Sequence, residues 1–186
     1  MNVYDFDKTI FYPDSSAAFI LWLGRKYPRL IFKTLPGVIS DGIKYYLGKA
    51  DTTSFKEKLF AFLPYVSDID VEVCEFWNKY GSHILSWYLS QSRNDDVVIS
   101  AGPEFLHKPV AEKLGFTLIG TRMDKHSGKI DGYNCKGQEK VRRFRNAFPD
   151  ARVEAFYSDN PADLPMAREA EHAFLLSKGK IKNWNL

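Results

Sequence analysis

Cysteine is nearly absent. The 186 residues hold only Cys74 and Cys135, far apart, with no CxxC pair and no Cys/His cluster. That pattern excludes a disulfide framework and a Cys-based zinc site, and it suits a reducing cytoplasm as the expected location. Long apolar runs are missing too. The longest charge-free stretch in the first third, "SSAAFILWLG" at 15 to 24, is roughly half of what a membrane-spanning helix needs. The chain reaches Asp5 almost at once, which leaves no room for a basic start followed by an apolar signal core. A net charge of +3 is too small to argue for nucleic acid as a partner. There is no GxxxxGK(S/T) loop, GxSxG elbow or HExxH helix, so nucleotide-loop, serine-hydrolase and zinc-protease chemistry have no foothold.

What is present is an ordinary globular balance, 45% hydrophobic and 26% charged, in a chain long enough for one domain with an insertion. Its texture changes along its length. After "VYDFDKTI", residues 13 to 93 are rich in Leu, Phe, Trp and Tyr at helical spacing, broken at Pro28, Pro36, Gly48 and Pro64, and predict four or five helices. From residue 94 onward, short β-rich runs alternate with helices: "DDVVISAG", "PEFLHKPVAEKLG", "FTLIGTRM", "GQEKVRRFRNAF", "RVEAFYSD", "LPMAREAE" and "HAFLLSK". Such alternation predicts an α/β fold with a parallel, Rossmann-like sheet. Its core is residues 1–12 and 94–186, with residues 13–93 inserted after the first strand as a helical domain.

Ligands in such sheets bind beyond the carboxyl ends of the strands. Three runs end there in chemically capable residues: "YDFD", "VISAG" and "FYSDN". Asp159 and Asp163 alone would read as a helix cap and a first-turn acid. Together with Asp5 and Asp7 they make four carboxylates that cannot all stay ionised at close range without a cation. An all-oxygen ligand set with retained waters suits Mg²⁺.

The ordered motifs resemble those of the haloacid dehalogenase superfamily. "DFDKT" is similar to its DxDxT motif, "VISAG" to its second, "CKGQEKVRR" to its lysine motif and "FYSDNPADLPM" to its acidic fourth. The insertion between the first two resembles the phosphoserine phosphatase branch, where it caps the active site. The wording "ISAGPE", "GTRMD" and "YSDN-ADLPM" looks closest to a bacterial group that includes phosphatidylglycerophosphatase C-like proteins. The resemblance implies a phosphatase in which Asp5 is the nucleophile and Asp7 the acid and base. Mg²⁺ would be held by Asp5, Asp159 and the Asp7 backbone carbonyl. Ser100, with the amides of Ala101 and Gly102, would bind phosphate, and Thr9 would help in the first loop. Asp163 would orient the lysine or support the metal. Lys136 precedes the glycine as in phosphoserine phosphatases, whereas Lys140 fits the G-x-x-K form of the bacterial group, so both are candidates. Asn160 and Ala162 depart from the phosphoserine phosphatase motif "GDGAND", so neither the metal surroundings nor the serine phosphate substrate that the motif implies carries over to this chain with the resemblance.

The insertion should choose the substrate, because groups on the rim see only a phosphate. A small phosphorylated metabolite and a lipid phosphate both remain open. The stretch "FILWLGRKYPRLIFK" at 19 to 33 interleaves aromatics with bases, a texture suited either to an anionic membrane surface or to a helix with a packed aromatic stripe. Arg142, Arg143 and Arg145 read as a solvated face. Trp77, Trp87 and Tyr88 read as core, Cys135 as a packed small residue, and the four histidines carry no metal spacing and no assigned role. A noncatalytic module that keeps the fold and docks on membranes is the competing function class.

Overall fold

In a computed structural model, residues 1–29, 51–177 and 180–185 are described. Residues 30 to 33 of the aromatic and basic stretch, together with the breaks at Pro36 and Gly48, fall outside them. β1 (Asn2–Tyr4) is followed by the insertion, in which the described elements are helical. They comprise α1 (Ser15–Lys26), α2 (Thr52–Leu59), α3 (Ile69–Tyr80) and the short α4 (Ser86–Leu89). Asp14, Asp51 and Asp68 cap α1, α2 and α3 by accepting backbone N–H groups of the first turn, which satisfies donors that a helix start leaves orphaned. No helix among the described residues is long and apolar enough to cross a membrane.

The remainder alternates as β2 (Val97–Pro103), α5 (Glu104–Leu114), β3 (Thr117–Thr121), α6 (Gln138–Ala147), β4 (Val153–Ser158), α7 (Leu164–Ala167), β5 (Ala170–Ser177) and β6 (Lys180–Asn183). The strand order is β3-β2-β1-β4-β5-β6. All neighbours are parallel except β6, which pairs antiparallel with β5. The expected parallel sheet is therefore present, with an antiparallel edge that the sequence reading did not foresee. The stretch "LPMAREAE" also differs: its helix lasts one turn, and Ala170 and Glu171 already belong to β5.

Strand periodicity divides the core between two faces. Val97 and Ile99 join Val3, Val141, Phe144 and Phe156 on one side, while Val98 joins Tyr4, Phe6, Phe19, Phe76 and Leu106 on the other. Alternate residues of a strand point to opposite faces, so a sheet covered on both sides needs apolar residues at consecutive positions, as "VVI" supplies. Trp77 and Tyr88 are buried as expected, and Trp87 packs against them from a partly buried position.

Arg143 corrects the reading of the arginine run. It is buried rather than solvated, and it donates to Glu139 at 2.7 Å, to the Gly120 carbonyl at 2.6 Å and to the Tyr133 carbonyl at 2.7 Å. One planar guanidinium thus ties α6 to the end of β3 and to the loop before α6. Arg142 is exposed on the same helix and, among the described residues, pairs with Glu139. Arg143→Ala should lower the unfolding free energy by about 2–4 kcal/mol, because it strands two carbonyls and removes one of the two arginine partners of Glu139. Arg142→Ala should stay within about 0.5 kcal/mol. Urea denaturation of the two variants checks the contrast.

Candidate active site

β2, β1 and β4 are adjacent, so their carboxyl ends bring Ser100, Asp5 and Asp159 to one rim. A cavity of about 320 Å³ opens there, lined by Asp5, Asp7, Ser100, Ala101, Lys140 and Asp159 among others. After β1 the chain turns back on itself: the N–H groups of Ile10 and Phe11 both donate to the Phe6 carbonyl. Lys8 takes a left-handed conformation (φ 57°) to make that turn, an uncommon choice for a residue with a Cβ.

Lys140 lies at the centre. Its Nζ donates to Asp5 at 2.5 Å and to Asp163 at 2.7 Å, and its side chain is 2% exposed. Burial opposes the ammonium charge, but the two carboxylates outweigh it and hold the group above the ordinary lysine range. α6 begins at Gln138, so Lys140 sits in its first turn and Lys136 lies before the helix. Lys136 lines the cavity; only Lys140 of the two bridges the aspartates.

The surrounding contacts lock the loops together. The Thr9 hydroxyl accepts the Asp159 N–H at 3.0 Å and stands 3.4 Å from Asp5. The Ser158 hydroxyl donates to Asp163 at 2.8 Å and accepts the Asn160 N–H at 3.0 Å. Asn160 turns its own amide oxygen to the Ala162 N–H, a capping role. The Asp7 carboxylate accepts the Ser15 N–H at 2.7 Å. Ser100 is buried, and its oxygen accepts the Gly102 N–H at 2.9 Å, which leaves the hydroxyl proton available to a ligand. Gly102 itself faces a second, larger cavity. A Cβ there would stand 2.1 Å from the His107 ring, so close packing on His107 is the physical demand for glycine at this position.

Sequence reasoning missed Lys56 and Asn134. Lys56, on α2, donates to the Ala101 carbonyl and to the Asn134 side-chain oxygen, and burial pulls its ammonium down to about 8. It lines both cavities, and nothing in "TTSFKEKL" separates it from the neighbouring Lys58. Asn134 stands immediately before "CKGQEKVRR" and carries no mark of its own there.

Electrostatically the rim is strained. Burial pushes Asp5 up to about 6 and Asp7 up to about 7; Lys140 pulls the first back, and the Asp14 charge adds to the second. Burial also raises Asp159, with the Lys8 charge opposing.

Residues 3–168 match the model of the haloacid dehalogenase-like hydrolases. This chain belongs to that family. It is 30% identical over 197 residues to protein CicA of Caulobacter vibrioides, covering 95% of this chain and 86% of that protein. Among solved structures, a protein of unknown function from Bordetella pertussis Tohama I superposes with a TM-score of 0.71 at 20% identity, covering 93% of this chain and 87% of that one. A phosphoserine phosphohydrolase-like protein from Francisella tularensis gives a TM-score of 0.57 at 17% identity, covering 96% and 88%. These two solved structures share the α/β architecture described above.

A raised carboxyl pKa means that the folded state holds a proton the unfolded chain releases, so stability falls as pH rises through the interval. In chelator-treated protein, the stability of wild type relative to Asp7→Asn should therefore decline from about pH 4 to about pH 7. Urea midpoints at four or five pH values test the sign.

Proposed function

We propose that this hydrolase is a Mg²⁺-dependent phosphatase that cleaves a phosphomonoester through a phosphoaspartyl intermediate on Asp5. The observation that carries the reading is the Asp5–Lys140–Asp163 arrangement at the mouth of a small polar cavity. A carboxylate held and oriented by a buried ammonium is a ready oxygen nucleophile.

Charge supports the cation. Among the described lining residues, five aspartates face four lysines, so with every group ionised the cavity carries one net negative charge, and a cation favours that ionised state. Asp163 keeps one buried carboxylate oxygen without a partner among the described residues. The described residues hold no cluster of three His, Cys, Asp or Glu side chains suited to a metal. Two carboxylates, Asp5 and Asp159, with the Asp7 backbone carbonyl and waters fit a hard cation that keeps part of its hydration. Bound there, Mg²⁺ would neutralise the repulsion between nucleophile and phosphate.

The protein's own groups perform the rest. An Asp5 oxygen bonds to phosphorus as the ester P–O bond breaks, and the leaving oxygen takes its proton from Asp7. Asp7 then accepts a proton from water, whose oxygen attacks phosphorus. The Asp5–phosphorus bond breaks, inorganic phosphate forms, and Asp5 is restored. The Ser100 hydroxyl and the Ala101 amide stabilise the phosphate oxygens, and Lys140 adds positive charge beside the nucleophile. Asp163 orients Lys140, while Thr9 braces Asp5 against the Asp159 loop.

The insertion forms the cap and meets the leaving group. Beside the polar cavity lies one of about 900 Å³, lined by Ala17, Ile20, Leu21 and Leu59 and sharing Asp7 and Lys56 with it. That neighbourhood favours a leaving group with an apolar part, on a small metabolite or a lipid phosphate.

With 4-nitrophenyl phosphate as probe, turnover should require Mg²⁺, vanish with chelator and return when Mg²⁺ is restored. Asp5→Asn should lose at least ~10³-fold in kcat/KM. Lys140→Met should lose ~10²-fold or more. Acid-quenched protein should carry one phosphoryl group on the peptide containing Asp5. Unimpaired turnover by Asp5→Asn would overturn the assignment.

A further inference from the structure

His107 is wholly buried on α5 and has no part in the chemistry above. Apart from an edge contact with Trp77 of α3, its contacts converge on the loops around the aspartates and on the start of α1. The ring stacks on Phe6, the residue between the two aspartates, with centroids 4.1 Å apart. Its edge fills the space that a side chain at Gly102 would occupy. Its Nε2 is 2.7 Å from the Ser15 hydroxyl. Ser15 in turn bonds the Asp7 carboxylate with its N–H at 2.7 Å, and its hydroxyl also faces that carboxylate.

A leucine or phenylalanine would serve a core position without the cost of burying ring nitrogens. The polar ring is explained by the direction of the hydrogen bonds. If the Ser15 hydroxyl gives its proton to Asp7, its oxygen must accept one, and a neutral His107 protonated on Nε2 supplies it. The other nitrogen, Nδ1, is then a bare acceptor. Nδ1 is the atom with no partner among the described residues. Burial pulls the imidazole down to about 3, with the Lys56 charge adding to the effect, so the ring stays neutral across the working range.

We propose that His107 is a positioning residue for proton transfer: acting through Ser15, it fixes the Asp7 carboxylate so that Oδ1 is tied down and Oδ2 is presented to the leaving oxygen. The inference rests on the reading of Asp7 as the proton donor. It extends that reading to a residue 100 positions away in sequence that touches neither phosphate nor metal ligand side chains.

A leaving-group series separates proton delivery from general damage to the fold. Phenyl phosphates from 4-nitrophenyl to unsubstituted phenyl keep one shape while the leaving oxygen becomes more basic and more dependent on an acid. Asp7→Asn should lose kcat/KM progressively along the series. His107→Leu should follow the same trend, losing about 10- to 50-fold on phenyl phosphate and about 3-fold or less on 4-nitrophenyl phosphate. His107→Gln, whose amide N–H can reach Ser15, should restore phenyl phosphate turnover to within about 3-fold of wild type. If His107→Leu loses the same factor throughout while Asp7→Asn is graded, the positioning role is wrong. If Asp7→Asn is not graded either, the assignment of Asp7 fails and this inference falls with it. Should His107→Leu not fold, Ser15→Ala must give the graded loss instead. Nitrogen-15 NMR of the wild-type protein must show His107 protonated on Nε2; protonation on Nδ1 would overturn the relay.

Discussion

The buried Lys140 ammonium ties together three parts of the chain that are distant in sequence. It arrives from the first turn of α6 and is gripped by Asp5 from β1 and Asp163 from beyond β4. A lysine removed from water at this depth is tolerated only because both carboxylates accompany it, and Asp5 is tolerated at its own depth largely because of Lys140. Each member is a condition for the others. The pairing also sets the direction of α6, which Arg143 secures from its other side by gripping Gly120 and Tyr133. The helix carrying the cation is thus pinned at two points, one at the candidate site and the other at the end of β3.

Much of this was legible in the sequence, for a physical reason. A parallel sheet buried on both faces leaves its strand ends as the natural exits for polar groups, so an apolar run closing in "DFD", "ISAG" or "YSD" announces both a strand and a rim. Asp5, Ser100 and Asp159 could be read because strand and function are encoded in the same few residues. The choice between Lys136 and Lys140 could not be read this way. It depends on where α6 begins, and Gly137 (φ 58°) marks that start only once the backbone is seen.

The missed residues share a different property: they act across large separations and through partners. Lys56 reaches a carbonyl 45 positions away, and His107 reaches a serine 92 positions away. Neither stands in a periodic pattern or a short motif, and a lysine in a lysine-rich helix or a histidine in an amphipathic one carries no local mark of its role. Arg143 misled for the complementary reason. A run of bases is usually solvated, and only the packing of α6 against β3 decides which of its arginines faces inward.

The order of the strands has a metric consequence. Hydrogen-bonded neighbours in a sheet run about 4.8 Å apart, so the β2, β1 and β4 ends form a ruler with Asp5 at its middle mark. A tetrahedral anion centred over Asp5 has a hydroxyl one division to one side and a carboxylate one division to the other. Had a fourth strand come between them, the two flanking groups would stand about 14 Å apart instead of about 10 Å, too far to share one small anion. The gauge of the sheet therefore matches the size of the phosphate proposed for the rim.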